Sequence, residues 1–363
     1  MSVFFSLLVT KVALLFQILI ILTQNIEKST IYNLLDTNFT LFIYLCTHGQ
    51  SIAHSHNMSD KKKIWFIINP ISGTKDKAGI VAAIHKYMTP DRFDTEIRYT
   101  QCKGHAAKIA AEAISHNVDI VVAVGGDGTV NETARALIHT HVALGIVPCG
   151  SGNGLARHLG LPMNPKKALA VISECNICPL DYGLINGQPF FCTAGVGFDA
   201  FLSDMFNKSS HRGLLSYVEN ALKAGVTYKP ETYELEIDGA SGTQEPRQVY
   251  KAFLITCANA SQYGNDFYIA PHASMSDGLM DVTVMEPFTL LEAPAIAYQL
   301  AHRTITSNSH IRTFKCRRLT IHRQQPGVIH FDGDPKDETS DVRVELVPGD
   351  ILMVVNVHRK PGR

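Results

Sequence analysis

The chain has 363 residues, with 33 Lys and Arg balanced against 33 Asp and Glu. This length allows about two domains at roughly 150 residues each. The balanced charge excludes a global field that would draw the protein to nucleic acid or to an anionic membrane, so no nucleic-acid partner is predicted. Of the eight cysteines, only Cys175 and Cys178 have the two-residue spacing of a metal or redox pair, and no second pair lies nearby in the sequence. We therefore interpret the cysteines as reduced, buried thiols.

The first 57 residues differ from the rest of the chain. Residues 3–23 are apolar and about long enough to span a bilayer, although Lys11 lies among them. The basic start and the small-residue cleavage site of a secretory signal are missing. Met58 then begins "MSDKKKIWFIINP", which is typical of the start of a soluble protein. Two interpretations follow: residues 1–57 are a membrane anchor, or the natural product starts at Met58. We prefer the second.

From Lys63 the sequence alternates between strand-like and helix-like patterns. "KIWFIIN", "DTEIRYT", "VDIVVAV" and "VALGIVP" read as strands, and "KDKAGIVAAIHKYM", "GHAAKIAAEAISH" and "NETARALIHTH" have helical spacing. This alternation predicts a parallel sheet with helices on both faces. Ligands of such sheets bind beyond the carboxyl ends of the strands.

Three glycine-rich loops follow these strands: "NPISG" (69–73), "GGDGT" (125–129) and "PCGSGNG" (148–154). Glycine allows close approach of the backbone, and helix N-termini add partial positive charge, so the loops together predict an anion site that can hold phosphates. The P-loop pattern is absent, and "GGDGT" does not fit the spacing of a dinucleotide fingerprint.

The order and spacing of the three loops resemble the catalytic domain of the diacylglycerol kinase and sphingosine kinase superfamily, especially its bacterial soluble lipid kinases. The resemblance extends from about Lys61 to the C-terminus. It implies an ATP-dependent lipid kinase, with diacylglycerol as the first-choice acceptor and phosphatidic acid as the product. A sphingoid base, a soluble acceptor such as NAD, and a non-catalytic nucleotide-binding regulator stay open as alternatives.

The resemblance also implies the residues of the nucleotide site. Those beside ATP would be Asn69, Ser72, Gly73, Thr100, Gly125, Gly126, Asp127, Gly128, Thr129, Asn131, Glu132, Ser151, Gly152 and Asn153. Asp127 would hold the catalytic Mg²⁺ through water, and Asp181 of "PLDYGLING" matches a second acidic position of the same network.

A proton acceptor is expected in "VIHFDGDP" (328–335). Phosphoryl transfer needs a group that accepts the proton of the attacking hydroxyl. The matching motif of the resembled family usually reads D-G-E, and its final acid is taken as this base. Here that residue is Asp334, which is one methylene shorter than Glu.

Beyond Asp181 short alternating strands predict a β-sandwich. The resemblance places the active site in the cleft between this domain and the first one. We therefore predict an extension (1–57), a catalytic α/β domain (58–184), a β-sandwich substrate domain (185–345) and a C-terminal strand that returns to the first domain (346–363). "SMSDGLMDV" (274–282) matches a segment that binds a structural Mg²⁺, with Asp277 as ligand and Ser274 and Leu279 as carbonyl donors.

The resemblance implies a cytoplasmic enzyme that binds peripherally to the inner face of the membrane, where its lipid substrate lies. A membrane anchor is expected only if residues 1–57 belong to the natural product. Residues 201–230 include a helical pattern flanked by the basic residues Lys208, His211 and Arg212. We interpret the helix as part of the core; the alternative is that the helix and its basic flank contact the membrane. A homodimer formed through an edge strand of the β domain stays open.

Overall fold

The computed structural model describes residues 61–73, 77–208, 225, 228–240 and 245–358. Residues 1–57 and the basic flank at His211 and Arg212 lie outside these ranges. Among the helices within them, none has the length and apolarity needed to span a bilayer.

The first half is a parallel sheet of four strands in the order β2-β1-β3-β4. Its strands are β1 Lys62–Ile68, β2 Phe93–Tyr99, β3 Ile120–Gly125 and β4 Ala143–Pro148. Its helices are α1 Lys77–Tyr87, α2 His105–Ser115, α3 Asp127–Leu137, α4 Gly154–His158 and α5 Pro165–Ile172. Successive side chains of β1 enter opposite cores: Trp65 packs with Ala110 and Ala134, and Phe66 packs with Ile84 and Leu169. Because both faces are covered, the central strands are continuous apolar runs.

The second half is mostly antiparallel. Its strands are β5 Ile177–Ile185, β6 Gln188–Phe190, β7 Thr193–Gly197, β8 Glu231–Gly239, β9 Gln248–Ala252, β10 Leu254–Ala258, β11 Met280–Met285, β12 Ile311–Arg323, β13 Gly327–Phe331, β14 Asp334–Glu338 and β15 Asp341–Val354. The helices α6 Phe198–Lys208 and α7 Ala293–Ala301 accompany them. Alternate residues such as Val196, Ile255 and Val282 fill the core between the layers.

The long strand β15 joins the two halves. Its first part pairs with β12, with Arg343 opposite Thr320, and its last part pairs with β5 and reaches β4, where Met353 lies opposite Leu144. One hydrogen-bonded sheet therefore runs from β14 to β2. The predicted fold class, a parallel α/β domain followed by a β-sandwich-like domain, is confirmed.

Candidate active site

The three glycine-rich loops meet beyond the carboxyl ends of β1, β3 and β4. Asn69 anchors the first loop: its backbone N–H donates to Val124 O at 3.0 Å, and its side-chain Nδ2 donates to Thr129 Oγ1 at 3.1 Å. Gly73 has a φ of 60° and touches the third loop, since an added Cβ would lie 1.9 Å from Cys149 O. The loops therefore form one rim, as the sequence predicted for neighbouring strands.

The second and third loops pack backbone against backbone. A Cβ added to Gly150 would lie 2.6 Å from Gly126 Cα, and one added to Gly152 would lie 2.9 Å from Asp127 Oδ2. By contrast, a Cβ at Gly128 would meet nothing within 4 Å. Gly128 is in the first turn of α3, so the open space lies at a helix N-terminus, where backbone N–H groups and the helix dipole favour an anion.

Asp127 links these two loops. Its Oδ2 accepts from Asn153 N and its Oδ1 from Gly154 N, both at 2.8 Å. Asn153 has a left-handed backbone (φ 51°), and its amide closes the turn onto Gly150. The Asp127 carboxylate is exposed, and each of its oxygens retains a free lone pair. It therefore fits the predicted water-mediated contact with Mg²⁺.

The other predicted nucleotide residues lie around the rim. Ser72 Oγ donates to Asn69 O at 3.0 Å, and Lys77 Nζ donates to Ser72 O at 2.7 Å. Thr100 is buried at the end of β2, and Glu132 Oε1 accepts from Gly104 N at 2.8 Å, which joins α3 to the start of α2. Ser151 is exposed at the tip of the third loop.

A hydrogen bond from Asn131 connects α3 to the second domain. Asn131 Nδ2 donates to Asp332 Oδ2 at 2.6 Å. The same carboxylate accepts from the backbone N–H groups of Phe191, Cys192 and Thr193 at 2.8, 2.7 and 3.1 Å. Burial raises the pKa of Asp332, and these backbone donors oppose the shift. Asp332 thus fixes the turn that presents Asp334. The sequence analysis had recognised the motif without assigning this role.

Asp334 faces the same helix. Its Oδ2 lies 3.6 Å from Arg135 Nη2 and its Oδ1 lies 3.9 Å from Lys103 Nζ. The Arg135 guanidinium lies over the Phe331 ring at 4.8 Å, and its buried Nε and Nη2 have no hydrogen-bond partner among the described residues. Arg135 is not among the residues predicted from the sequence. The available signal was its position one turn after Asn131 on α3, since residues four apart share a helix face.

Asp127 and Asp332 are linked through α3, which begins at Asp127 and whose Asn131 donates to Asp332. Burial holds the pKa of the Cys192 thiol well above its usual range, and the negative charges of Asp332 and Asp127 raise it further. The Asn131–Asp332 hydrogen bond therefore holds the D-G-D turn against the helix that begins at Asp127.

We expect Asp332→Asn to lower the free energy of unfolding by about 2–4 kcal/mol, because its amide would face backbone N–H donors that need an acceptor. The measurement is urea unfolding, with Asp337→Asn, an exposed change on the adjacent strand β14, as the matched control. A loss equal to that of the control would contradict the role given to Asp332.

A second polar cluster, also missed by the sequence analysis, surrounds Asp199 at the start of α6. Asp199 Oδ2 accepts from Thr256 Oγ1 at 2.7 Å and Tyr263 OH at 3.2 Å, and lies 2.9 Å from His330 Nε2. Ala200 N donates to Oδ1 at 2.8 Å. His330 is buried, and its Nδ1 has no partner among the described residues. Hydrophobic periodicity carries no signal that would bring these separate segments together.

Asp181 lies elsewhere. Its oxygens accept from Gly278 N at 2.9 Å and Gly349 N at 2.7 Å, and burial raises its pKa. Within the described ranges, no hydrogen bond or ion pair joins it to Asp127. These contacts hold the 274–279 loop against β15. Its place in the Asp127 metal network stays a prediction.

Lys315 neutralises the predicted structural metal site. Its Nζ lies 2.7 Å from Asp277 Oδ2 and 2.9 Å from Asp281 Oδ2, while Leu279 N donates to Asp277 Oδ1 at 3.2 Å. In the part of the chain that the structure describes, no cluster of three or more His, Cys, Asp and Glu could hold a metal ion. The site as arranged fits an ammonium group, and a divalent ion bound by Asp277, Ser274 and Leu279 would have to displace it.

Lys315→Met therefore tests the metal prediction. We expect it to lower the free energy of unfolding by about 1–3 kcal/mol, because two carboxylates lose their shared cation. Millimolar Mg²⁺ should restore part of the loss in the variant and change the parent less. The measurement is thermal melting with Mg²⁺ or with EDTA, and an identical response of both proteins to Mg²⁺ would argue against a cation site here.

Comparisons with known proteins agree with this arrangement. Residues 63–185 match the model of the diacylglycerol kinase catalytic domain, and residues 192–355 match the YegS C-terminal NAD kinase beta sandwich-like domain. A diacylglycerol kinase of Mycobacterium tuberculosis (strain H37Rv) is 31% identical over 288 residues, covering 75% of this chain and 88% of that protein. A diacylglycerol kinase of Bacillus subtilis is 28% identical over 278 residues, covering 75% and 90%. A probable YegS-like lipid kinase of Stenotrophomonas maltophilia is 28% identical, covering 71% and 85%.

The fold has a counterpart among solved structures. The crystal structure of a diacylglycerol kinase from Bacillus anthracis has a TM-score of 0.63 at 21% identity, covering 81% of this chain and 97% of that one. The matched models occur in the same order as the two halves of the fold, and the resemblance noted in the sequence is confirmed. The chain belongs to the diacylglycerol kinase and sphingosine kinase superfamily of ATP-dependent lipid kinases.

Proposed function

We propose that this lipid kinase transfers the γ-phosphoryl group of ATP, with Mg²⁺, to the free hydroxyl of diacylglycerol and forms phosphatidic acid. The observation that carries the proposal is the hydrogen bond between Asn131 and Asp332. It ties the helix that begins at Asp127 to the turn that presents Asp334. The bond supports an arrangement in which the nucleotide loops and the proposed base act on the same phosphoryl group.

Each group of residues would have a separate role in the reaction. Backbone N–H groups of the three loops and of the α3 N-terminus would hold the phosphates. Mg²⁺ held through water by Asp127 would neutralise phosphate charge. Asp334 would accept the hydroxyl proton as the lipid oxygen bonds to the γ-phosphorus and the bond to the ADP oxygen breaks. The Arg135 guanidinium, which lies 3.6 Å from Asp334, would stabilise the transferring phosphoryl group by its charge.

The charges around the cleft favour a neutral acceptor over a sphingoid base. The cationic amine of a sphingoid base needs a carboxylate with free acceptor capacity other than Asp127, which would hold Mg²⁺. Asp332 already accepts four hydrogen bonds, and three side chains surround Asp199 Oδ2. Asp334 faces two cations, Arg135 and Lys103. This arrangement supports a neutral glycerolipid hydroxyl.

The test is incubation of the full chain with labelled ATP and Mg²⁺ and, separately, with diacylglycerol, monoacylglycerol, ceramide, a sphingoid base and NAD. We expect label in diacylglycerol. Ceramide and the sphingoid base serve as a matched pair because ceramide is the N-acylated form, in which the positive charge of the amine is lost. Label mainly in the sphingoid base or in NAD would contradict diacylglycerol as substrate, and ATP binding without transfer to any acceptor would contradict catalysis.

A further inference from the structure

One surface region of the second domain has exposed apolar side chains close together in sequence. Of the six large apolar side chains that are exposed among the described residues, Leu290, Leu291 and Tyr298 lie within residues 290–298, with exposures of 41%, 87% and 47%. Leu290 and Leu291 lie in the turn before α7, and Tyr298 lies on the helix itself. We call these three residues the α7 patch. The other exposed apolar residues are separated along the chain.

The turn that displays the leucines is fixed by hydrogen bonds. Glu292 N donates to Thr289 O at 3.0 Å, while Glu292 Oε2 accepts from Thr289 N and Thr289 Oγ1 at 2.7 Å each. His310 Nε2 lies 3.0 Å from the other Glu292 oxygen. These contacts lower the pKa of Glu292 to about 2. The acidic group of the turn is therefore satisfied within the protein, while the two leucines beside it are left in water.

Packed aromatic rings extend from this turn to the Asp199 cluster, whose His330 lies on β13 just before the D-G-D turn. Phe288 lies two residues before Leu290, and its ring centroid is 4.9 Å from that of Phe253, which stacks on Phe198 at 4.5 Å. Phe198 precedes Asp199 in the chain. The helix α7 contributes Ile296 and Leu300 to the same apolar cluster, which also includes Tyr263, a partner of Asp199. Apolar side chains thus continue from the turn before α7 to the polar cluster around Asp199.

From this continuity we propose that the α7 patch is the surface by which the enzyme contacts the lipid bilayer. The inference rests on the proposed function, because an acceptor dissolved in a bilayer must reach the cleft from a membrane surface. Leu290 and Leu291 insert among the acyl chains, and Tyr298 lies at the interface, where its apolar ring and polar hydroxyl each find a suitable environment. Membrane contact then occurs at the end of the apolar cluster opposite Asp199.

A site-specific probe tests the contact in the full chain. The only native tryptophan, Trp65, is 1% exposed, so it provides a buried background. Leu291→Trp reports on the α7 patch, and Val249→Trp is the matched control because Val249 is also exposed (66%) but lies on β9. With phosphatidylcholine vesicles that contain brominated acyl chains, we expect quenching of the additional emission at position 291 and little at position 249.

Three outcomes would overturn the proposal. Equal quenching at both positions would indicate nonspecific adsorption, and quenching at neither would place the contact elsewhere. A blue shift at position 291 that depends on protein concentration without vesicles, with no quenching by brominated lipid, would show that a second copy of the chain covers the patch. Because the probe reports on position 291 itself, the result does not depend on whether residues 1–57 also bind lipid.

An activity measurement separates this inference from the proposed function. The double variant Leu290→Ser/Leu291→Ser should phosphorylate long-chain diacylglycerol in vesicles about 10- to 100-fold less efficiently, because two inserted leucines are lost. Its activity on soluble, short-chain dioctanoylglycerol should stay within about threefold of the parent, since surface changes rarely disturb the fold. Unchanged vesicle activity would overturn the inference. If the parent phosphorylates neither diacylglycerol, the proposed function fails, while quenching still tests the contact.

Discussion

Asp334→Asn is expected to lower kcat for lipid phosphorylation by about 10²- to 10⁴-fold, the usual contribution of a general base. The Asn side chain has nearly the same shape as Asp but cannot accept the hydroxyl proton. The Asp334 side chain is 47% exposed, and its nearest cations are 3.6 and 3.9 Å away, so the ion pairs contribute little to stability. The measurement is the initial rate with dioctanoylglycerol at saturating ATP, together with the melting temperature.

Two further variants sharpen this test. Asp334→Glu restores a carboxylate with one more methylene and should recover activity to within about tenfold of the parent, because proton acceptance depends on reach as well as basicity. Asp337→Asn, an exposed change on β14, is the control for a lost surface charge. Asp334→Asn with more than a third of the parent rate would exclude Asp334 as the base. Equal loss in the Asn and Glu variants would indicate a requirement for local geometry instead.

The nucleotide rim could be predicted from the sequence because its determinants are local. Each loop follows an apolar strand, and parallel strands end at the same edge of a sheet. The two loops touch backbone to backbone: a Cβ at Gly150 would clash with Gly126 Cα at 2.6 Å, and one at Gly126 would be crowded by Gly150 Cα at 3.1 Å. The place of Asp127 follows from the same rule, since it begins the helix after β3.

The contacts that complete the cleft depend on long-range pairing, which periodicity does not reveal. Asp332 receives its backbone donors from residues about 140 positions away, because β13 pairs with β7. Its bond to Asn131 spans 201 positions. The isolated sequence showed only an acidic turn at 332–334, so Asp334 could be proposed from the motif while the residue that positions it could not.

Asp277 and Asp181 illustrate the same limit. A carboxylate in a turn has the same local signature whether it binds a metal ion, a lysine or backbone N–H groups. Asp277 lies beside Lys315, which is 38 positions further along the chain and reaches it only because β11 pairs with β12. Asp181 is held by the two turns at Gly278 and Gly349. Strand pairing therefore determines the neighbours of both carboxylates.

Asp127→Asn should lower kcat by about 10²- to 10³-fold, as expected when one preorganised charge contact of a transition state is removed. The variant loses the carboxylate that would order the water around Mg²⁺. One of its side-chain atoms would also become an N–H donor facing Asn153 N or Gly154 N, both of which now donate to Asp127 at 2.8 Å. We therefore expect a moderate loss of stability, about 1–2 kcal/mol, in addition to the loss of rate.

The effect on the metal can be separated from the effect on the loop by measuring nucleotide binding. In the parent protein, Mg²⁺ should tighten ATP binding. In Asp127→Asn, ATP alone should bind within about threefold of the parent, since the backbone donors of the rim stay in place, while the gain from Mg²⁺ should fall because the charge is lost. Asp94→Asn, an exposed change on β2, is the control for a lost charge in the same domain. A variant that binds neither ATP nor Mg-ATP would show that Asp127 mainly builds the loop, whereas a full response to Mg²⁺ would place the metal on other residues.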